Sequence, residues 1–179
     1  MKALVVVDML NDYIHREDKQ NIVQKTEIKE FVSKCKEGLD MARNKKIQVV
    51  YSNMAMTNDN PVMKFTGKLA MKNTEGALVV PELEPSRGDY ISEKAGYDGF
   101  WRSDLESILK MLRIKDVYIM GVQTDNQIRE TAVTAAHLGF NVTLIEECCK
   151  AKNDLKQKTA YEFVKSSVGK VTPLSGLDW

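Results

Sequence analysis

The chain has 179 residues, enough to bury a core on both faces of one sheet, and 26 basic against 25 acidic side chains give a formal net charge of +1. Such balance argues against a nucleic-acid footprint, which needs a basic stripe, and against an acidic tail; the lysines are spread as on solvated helix faces. Three cysteines, two of them adjacent, and two histidines far apart make neither a disulfide framework nor a zinc pattern, which points to free thiols in a reducing compartment.

MKALVVVDM opens the chain. One lysine and about six apolar residues fall short of a secretory h-region, and Asp8 interrupts them. No apolar run reaches the ~20 residues that span a bilayer. The expectation is a soluble cytoplasmic protein with no membrane partner.

Taken in order, the first strand is Ala3–Val7, followed by a helix over 26–44 with Ile28, Phe31, Val32, Cys35, Leu39 and Ala42 on one stripe. The second strand is Ile47–Tyr51. The segment 53–88 has no strong strand pattern and holds Met54, Met56, Met63 and Met71; a loop of this length is either a lid or an excursion packed by its methionines. A weaker strand at Tyr90–Ser92 precedes a helix over 102–112. Val117–Val122 is the next strand. Its helix, 124–138, carries Ile128, Thr131, Ala132, Ala135 and Leu138 on one face. Val142–Ile145, a helix over 154–167 with Leu155, Thr159, Phe163 and Val164 on its stripe, and a short strand near 170–172 complete the pattern.

Continuous β-branched runs are strands buried on both faces, and alternation with helices makes a parallel sheet with right-handed crossovers in a single domain, 1–179. Ligands in such sheets bind beyond the carboxyl ends of the strands, at the switch point. That rule selects Asp8, Asn53, Lys94 and the turn Gly121–Gln127. Asp8 ends ALVVVD, where a carboxylate is either a turn residue or a catalytic acid or base. A lysine at a strand end, as Lys94 is, is ordinarily solvated. Facing one crevice, the two together can tune a proton-transfer group.

The motifs VVVDMLNDY, ISEKAGYDGFWRSDLESIL and GVQTDNQIRETAVTAAHLGFNVTLIEECC occur in that order. Together they resemble the isochorismatase-like hydrolases, the superfamily of nicotinamidases, N-carbamoylsarcosine amidases and isochorismatases. GKLAMKNTEGALVVPEL is similar to the carbamoylsarcosine-amidase-like branch. The resemblance implies a Rossmann-type three-layer αβα sandwich with a six-stranded parallel sheet and no cofactor. It also implies a homo-oligomer, a dimer or tetramer. A catalytic triad of Asp, Lys and Cys is implied too, of which Asp8 and Lys94 match the first two. A cis peptide is expected at Val122–Gln123, with Val122, Gln123 and Thr124 forming the oxyanion turn. Nicotinamidases of this family use an Asp and two His after the second strand for a metal; SNMAMTNDNPVMKF contains no His, so no metal site is expected. Leu10 stands where the first motif usually has Gln.

The third triad position is Gln127. A neutral carboxamide is no nucleophile, and it is bulkier than a thiol. Cys148 and Cys149 follow the next strand and do not match the position. Thr124 and Gln127 also read as a capping box, which would give Gln127 a purely structural role. The expected function is a hydrolase-fold relative of small-amide hydrolases, impaired as a thiol amidase. One alternative is a vinyl-ether hydrolase with Asp8 as acid; another is a non-catalytic protein binding a small carbonyl or carboxylate compound or a protein partner. Tyr13, Asn53, Phe65, Tyr97, Phe100 and Trp101 are candidate pocket walls, Phe100 being equally a core residue. Arg102 and Arg129 either meet a substrate carboxylate or pair at the surface with Asp104 and Glu130.

Overall fold

A computed structural model describes residues 1–15, 22–61 and 67–179. Six parallel strands form one sheet: β1 (Lys2–Val7), β2 (Gln48–Met54), β3 (Tyr90–Lys94), β4 (Asp116–Val122), β5 (Asn141–Lys150) and β6 (Lys170–Thr172). Their order is β3-β2-β1-β4-β5-β6. β1 pairs with β2 on one side and β4 on the other, so the order reverses at β1 and the crevice beyond β1 and β4 is the switch point.

Alternation along β1 divides two cores. Leu4 and Val6 join a cluster with Phe31, Val32, Cys35 and Leu39 of α2 (Ile28–Asn44). Ala3, Val5 and Val7 join a second cluster. It contains Leu105, Ile108 and Leu109 of α3 (Leu105–Met111) and Ala132 and Ala135 of α4 (Arg129–His137). Each buried aliphatic side chain contributes about 1.5–3 kcal/mol of transfer free energy, so both helix layers are anchored to β1.

Four sequence expectations are revised. The helix expected over 102–112 begins only at Leu105 because Arg102 takes a positive φ of 50°. The one expected over 124–138 starts as a π-helical turn, Thr124–Ile128, in which the Ile128 N–H reaches the Gln123 carbonyl. On α5 (Asp154–Ser167), Leu155 and Phe163 are exposed, and Ala160 and Val164 are buried. The inward face there is Gln157, Ala160, Tyr161 and Val164, and a polar Gln157 in that stripe hides its period. β5 runs on to Lys150 after a register shift, which places Cys148 and Cys149 in the strand.

The long segment after β2 contributes a parallel bridge between Met56 and Met71 and two 3-10 turns, Glu75–Ala77 and Pro81–Leu83. Met54, Met56 and Leu83 are buried in the first core. An antiparallel bridge from Val79 to Leu10, and the Asn11 N–H on the Leu78 carbonyl, tie it to the loop after β1. That loop carries α1 (Asn11–Ile14), a helix the sequence pattern does not announce because it is one turn long. Among the described residues no helix is long and apolar enough to cross a membrane.

At the carboxyl end of β4, Gly121 lies opposite Val7 with φ +130°, and a Cβ there would stand 2.0 Å from the Val7 carbonyl oxygen. Only glycine lets the two strands approach while turning the chain toward the crevice. Gly121→Ala is expected to destabilise the protein by about 3 kcal/mol or more, measured by urea unfolding, against about 1 kcal/mol for the Ala substitution at Gly67, which shares a positive φ (+69°) but whose Cβ would meet nothing within 4 Å; equal effects at the two positions would refute the close-approach argument.

Candidate active site

Asp8 follows β1 directly, in a left-handed backbone conformation (φ 51°) that Asp tolerates better than most residues. Its backbone N–H donates to the Ser52 carbonyl, and its own carbonyl accepts from the Leu10 N–H. These bonds turn the carboxylate across the sheet end, where Oδ1 accepts from the Met54 N–H at 2.6 Å. Oδ2 meets Lys94 Nζ at 2.7 Å, with both side chains fully buried. Lys94 Nζ also donates to the Tyr97 carbonyl at 2.9 Å. The ends of β1, β2 and β3 thus converge on one ion pair.

Burial is the dominant influence on Asp8 and raises its carboxyl above the ordinary value; Lys94, by charge and hydrogen bond, and the Met54 N–H act in the opposite direction. Tyr13 on α1 is buried, and its phenol is raised well above normal, first by desolvation and then by the charge of Asp8 and by Tyr97. Tyr13 and Tyr97 therefore stand within electrostatic reach of the pair. The Tyr13 phenol remains neutral beside it.

Across β1, the peptide between Val122 and Gln123 is cis, as the family resemblance led one to expect. Thr124 and Gln127 are buried in the π-helical turn that follows. The capping box is not formed. The Thr124 hydroxyl donates instead to Gln157 Oε1 at 3.2 Å, and Gln157 also spans the Ala151 N–H and the Cys149 carbonyl. Gln157 on α5 therefore braces the turn, a role no local sequence signal carries. Gln127, 2 % exposed, turns its Oε1 back to the Gln123 N–H at 3.4 Å.

The loop after β3 is latched to α4. Thr131 Oγ1 donates to the Gln127 carbonyl at 2.7 Å and accepts from the Gly99 N–H at 2.8 Å, and Thr134 Oγ1 donates to Asp98 at 2.8 Å. Lys94 and Gln127 are thereby held on one framework.

Other candidate walls are less concentrated. Phe100 stacks on Phe140 (centroids 6.4 Å apart) and joins the second core. Its sequence position beside Tyr97 and Trp101 thus misplaces it as a pocket wall, because the Asp98 turn points its ring under the sheet. Trp101 is 39 % exposed, lies against Gly96 and has the Arg102 guanidinium over its ring at 4.9 Å. Arg129 pairs with Glu130 at the surface. Asn53 lines a different cleft, of about 400 Å³, with Leu78 and Ile91; Asp8, Lys94 and Gln127 are not among its lining residues. Phe65 lies outside the described residues.

All three thiols are buried. Cys35 Sγ meets the Cys148 carbonyl, Cys148 Sγ the Lys34 carbonyl and Cys149 Sγ the Ile119 carbonyl. Burial pushes the Cys35 and Cys149 thiols well up, the reverse of an activated nucleophile. Where the nicotinamidase resemblance would put metal ligands, the end of β2 and the segment after it place Met54 and Met56 in the core. Among the described residues no group of three or more His, Cys, Asp or Glu could hold a metal ion.

The doubly wound parallel sheet thus carries a buried Asp–Lys pair at its switch point and a strand-to-helix turn at the end of the neighbouring β4. The Isochorismatase domain model matches residues 2–175, and the chain belongs to that family. It is similar to ureidoacrylate amidohydrolase RutB of Agrobacterium fabrum, 25 % identical over 188 residues, covering 91 % of this chain and 82 % of that one. It is also similar to the probable inactive nicotinamidase of Arabidopsis thaliana, 26 % identical over 189 residues, covering 96 % and 91 %. Among solved structures, the N-carbamoylsarcosine amidase of Thermoplasma acidophilum superposes with a TM-score of 0.87 at 29 % identity over 99 % of both chains.

Breaking a fully buried pair leaves one charge uncompensated, at about 3–5 kcal/mol. Lys94→Met removes the influence that lowers the Asp8 carboxyl, so its folded pKa rises further above the unfolded one. Such a group contributes stability that is complete below the unfolded pKa and lost as pH climbs through the folded pKa. The variant is therefore expected to lie about 3–5 kcal/mol below the parent at pH 8, with at least half of that gap closed near pH 4, in urea melts at the two pH values. A gap independent of pH would mean that the charge on Asp8 is not its source.

Proposed function

We propose that this chain is an amidohydrolase-like member of its family that lacks thiol-dependent turnover and retains the pocket for a small carbonyl or carboxylate compound. The carrying observation is Gln127: the side chain buried in the turn after β4, the strand beside the one that carries Asp8, is a carboxamide bonded to the Gln123 N–H. In the mechanism that the resemblance implies, a thiolate attacks the substrate carbonyl, the Asp takes the thiol proton and backbone amides of this turn stabilise the oxyanion. Here Asp8 has no thiol to deprotonate. The inward thiol contacts of Cys35, Cys148 and Cys149 are with core carbonyls. Similarity to a probable inactive nicotinamidase accords with the reading. From the family resemblance, the working unit is a homo-oligomer, a dimer or tetramer, in the cytoplasm, without nucleic-acid or membrane partners.

Purified protein is expected to release no ammonia from ureidoacrylate, N-carbamoylsarcosine or nicotinamide. Gln127→Cys is expected to gain release from at least one of the first two, and iodoacetamide to abolish the gain. Hydrolysis by the parent protein that iodoacetamide stops would overturn the proposal.

One observation favours a second reading. A carboxyl raised by burial keeps its proton to higher pH and can act as an acid, as vinyl-ether hydrolysis requires. In that reading Asp8 protonates the enol carbon, water attacks, and Lys94 sets the protonation of Asp8 or binds a carboxylate. It predicts pyruvate release from isochorismate, at a rate that falls as pH rises through the Asp8 pKa. No pyruvate at high protein concentration removes it.

A further inference from the structure

We infer that α5 is an interface between two copies of this chain, paired about a two-fold axis that runs along its outer ridge of Leu155, Thr159 and Phe163. The inference rests on the homo-oligomer reading above and adds the surface and the symmetry; it does not depend on the chemistry at Gln127.

Gln157 faces inward to hold the Thr124 hydroxyl and the Ala151 N–H. With about 3.6 residues per turn, that choice carries Leu155 and Phe163 to the opposite side of the helix. Leu155 is 75 % exposed, more than any other large apolar side chain among the described residues, and Phe163 is 41 % exposed. Thr159 lies midway between them in sequence and is exposed as well. Its hydroxyl donates to the Leu155 carbonyl at 2.9 Å, so it asks nothing of a partner. The three side chains form one i±4 row, the ridge by which helices most often pack on one another, at a crossing angle of about −50°. Exposure at all three positions leaves the row uncovered within the protomer.

The flanking charges identify the occupant as a second copy. Lys156 precedes Thr159 and Glu162 follows it at equal spacing, which sets them about 60° to either side of the ridge. A two-fold axis parallel to the ridge sets Leu155, Thr159 and Phe163 each beside its own copy. It also brings Lys156 against the partner's Glu162 and Glu162 against the partner's Lys156, two opposite-charge pairs enclosing an apolar strip. An axis across the ridge sets Leu155 beside the partner's Phe163, but it opposes Lys156 to the partner's Lys156 and Glu162 to the partner's Glu162, which like-charge repulsion disfavours. Both charged groups have capacity for the extra contact. The Lys156 ammonium meets Asp125 at 3.0 Å and carries further N–H donors, and the Glu162 carboxylate meets Lys158 only at 3.9 Å. Through Asp125 and Gln157, the helix that carries the interface is also the one that braces the turn after β4.

The test combines sedimentation with cysteine cross-linking. Phe163→Glu is expected to halve the mass of the parent assembly, and an unchanged mass overturns the inference. The native thiols are buried, so an introduced surface cysteine is the one that diamide oxidises between protomers. Leu155→Cys and Thr159→Cys, made separately, are each expected to give a disulfide-linked dimer on a non-reducing gel, and Lys158→Cys, beside the ridge, is not. Lys156→Glu alone and Glu162→Lys alone are each expected to weaken association about tenfold, because each turns both flanking pairs into like charges. The double exchange is expected to restore the parent affinity to within about threefold. A double exchange as weak as the single variants, or cross-linking of Leu155→Cys no faster than of Lys158→Cys, overturns the inference and leaves an oligomer built on another surface. A parent protein that sediments as a monomer at high micromolar concentration overturns the inference and the homo-oligomer reading together. Neither result bears on thiol-dependent turnover, which the ammonia assays read separately.

Discussion

The buried pair of Asp8 and Lys94 is the constraint around which the carboxyl end of the sheet is arranged. Two charges withdrawn from water cost several kcal/mol each, repaid only when geometry is good and the remaining polar positions are filled. Here Oδ1 takes the Met54 N–H, Oδ2 takes Nζ, and Nζ reaches the Tyr97 carbonyl. Those partners come from β1, β2, β3 and the loop after β3. Any slip in strand register would break the set, so the pair fixes how the three strands end.

From that corner the organisation spreads across β1. The Thr131 and Thr134 hydroxyls on α4 hold the loop after β3, and the Thr131 hydroxyl also holds the carbonyl of Gln127. Gln157 grips the other side of the same turn. A helix that begins as a π turn leaves more backbone groups to satisfy than a regular start, and these side chains from neighbouring elements meet that need. Asp125, paired with Lys156 at 3.0 Å, adds a further tie between the turn and α5.

Much of this was legible in the chain of residues. Unbroken runs such as Ala3–Val7 can only be strands covered on both faces, and their alternation with helices dictates a parallel sheet and hence the switch point where Asp8 and Gly121 lie. Lys94 was recognisable from its motif context, although its identity as a strand-end lysine alone pointed to solvent. What escaped reading depends on distant partners. Thr124 followed by Gln127 satisfies a local capping rule, yet the hydroxyl goes to Gln157, thirty-three residues away. Leu155 and Phe163 suggested an inward face on α5, but Gln157 is needed inside to brace the turn, so the helix rotates and exposes them. Phe100 was ambiguous for the same reason: three aromatic residues in five positions look alike in sequence, and only the turn at Asp98 decides which ring goes into the core.

Gln127 brings these strands of argument together. If the residue were merely tolerated where a thiol is missing, the surrounding shell would have no reason to hold it in one conformation. Instead its carbonyl, its side-chain oxygen and the turn that bears it each have a partner drawn from a different element. A carboxamide is also the one uncharged side-chain group that offers a backbone donor the same acceptor as an amide substrate. In the proposed function this position therefore carries an acceptor for the turn's own N–H in place of a nucleophile. Burial raises the carboxyl of Asp8 while Lys94 and the Met54 N–H draw it back, and no sulfur is among its partners. On the proposed function, any chemistry begins from Asp8 and water rather than from the helix.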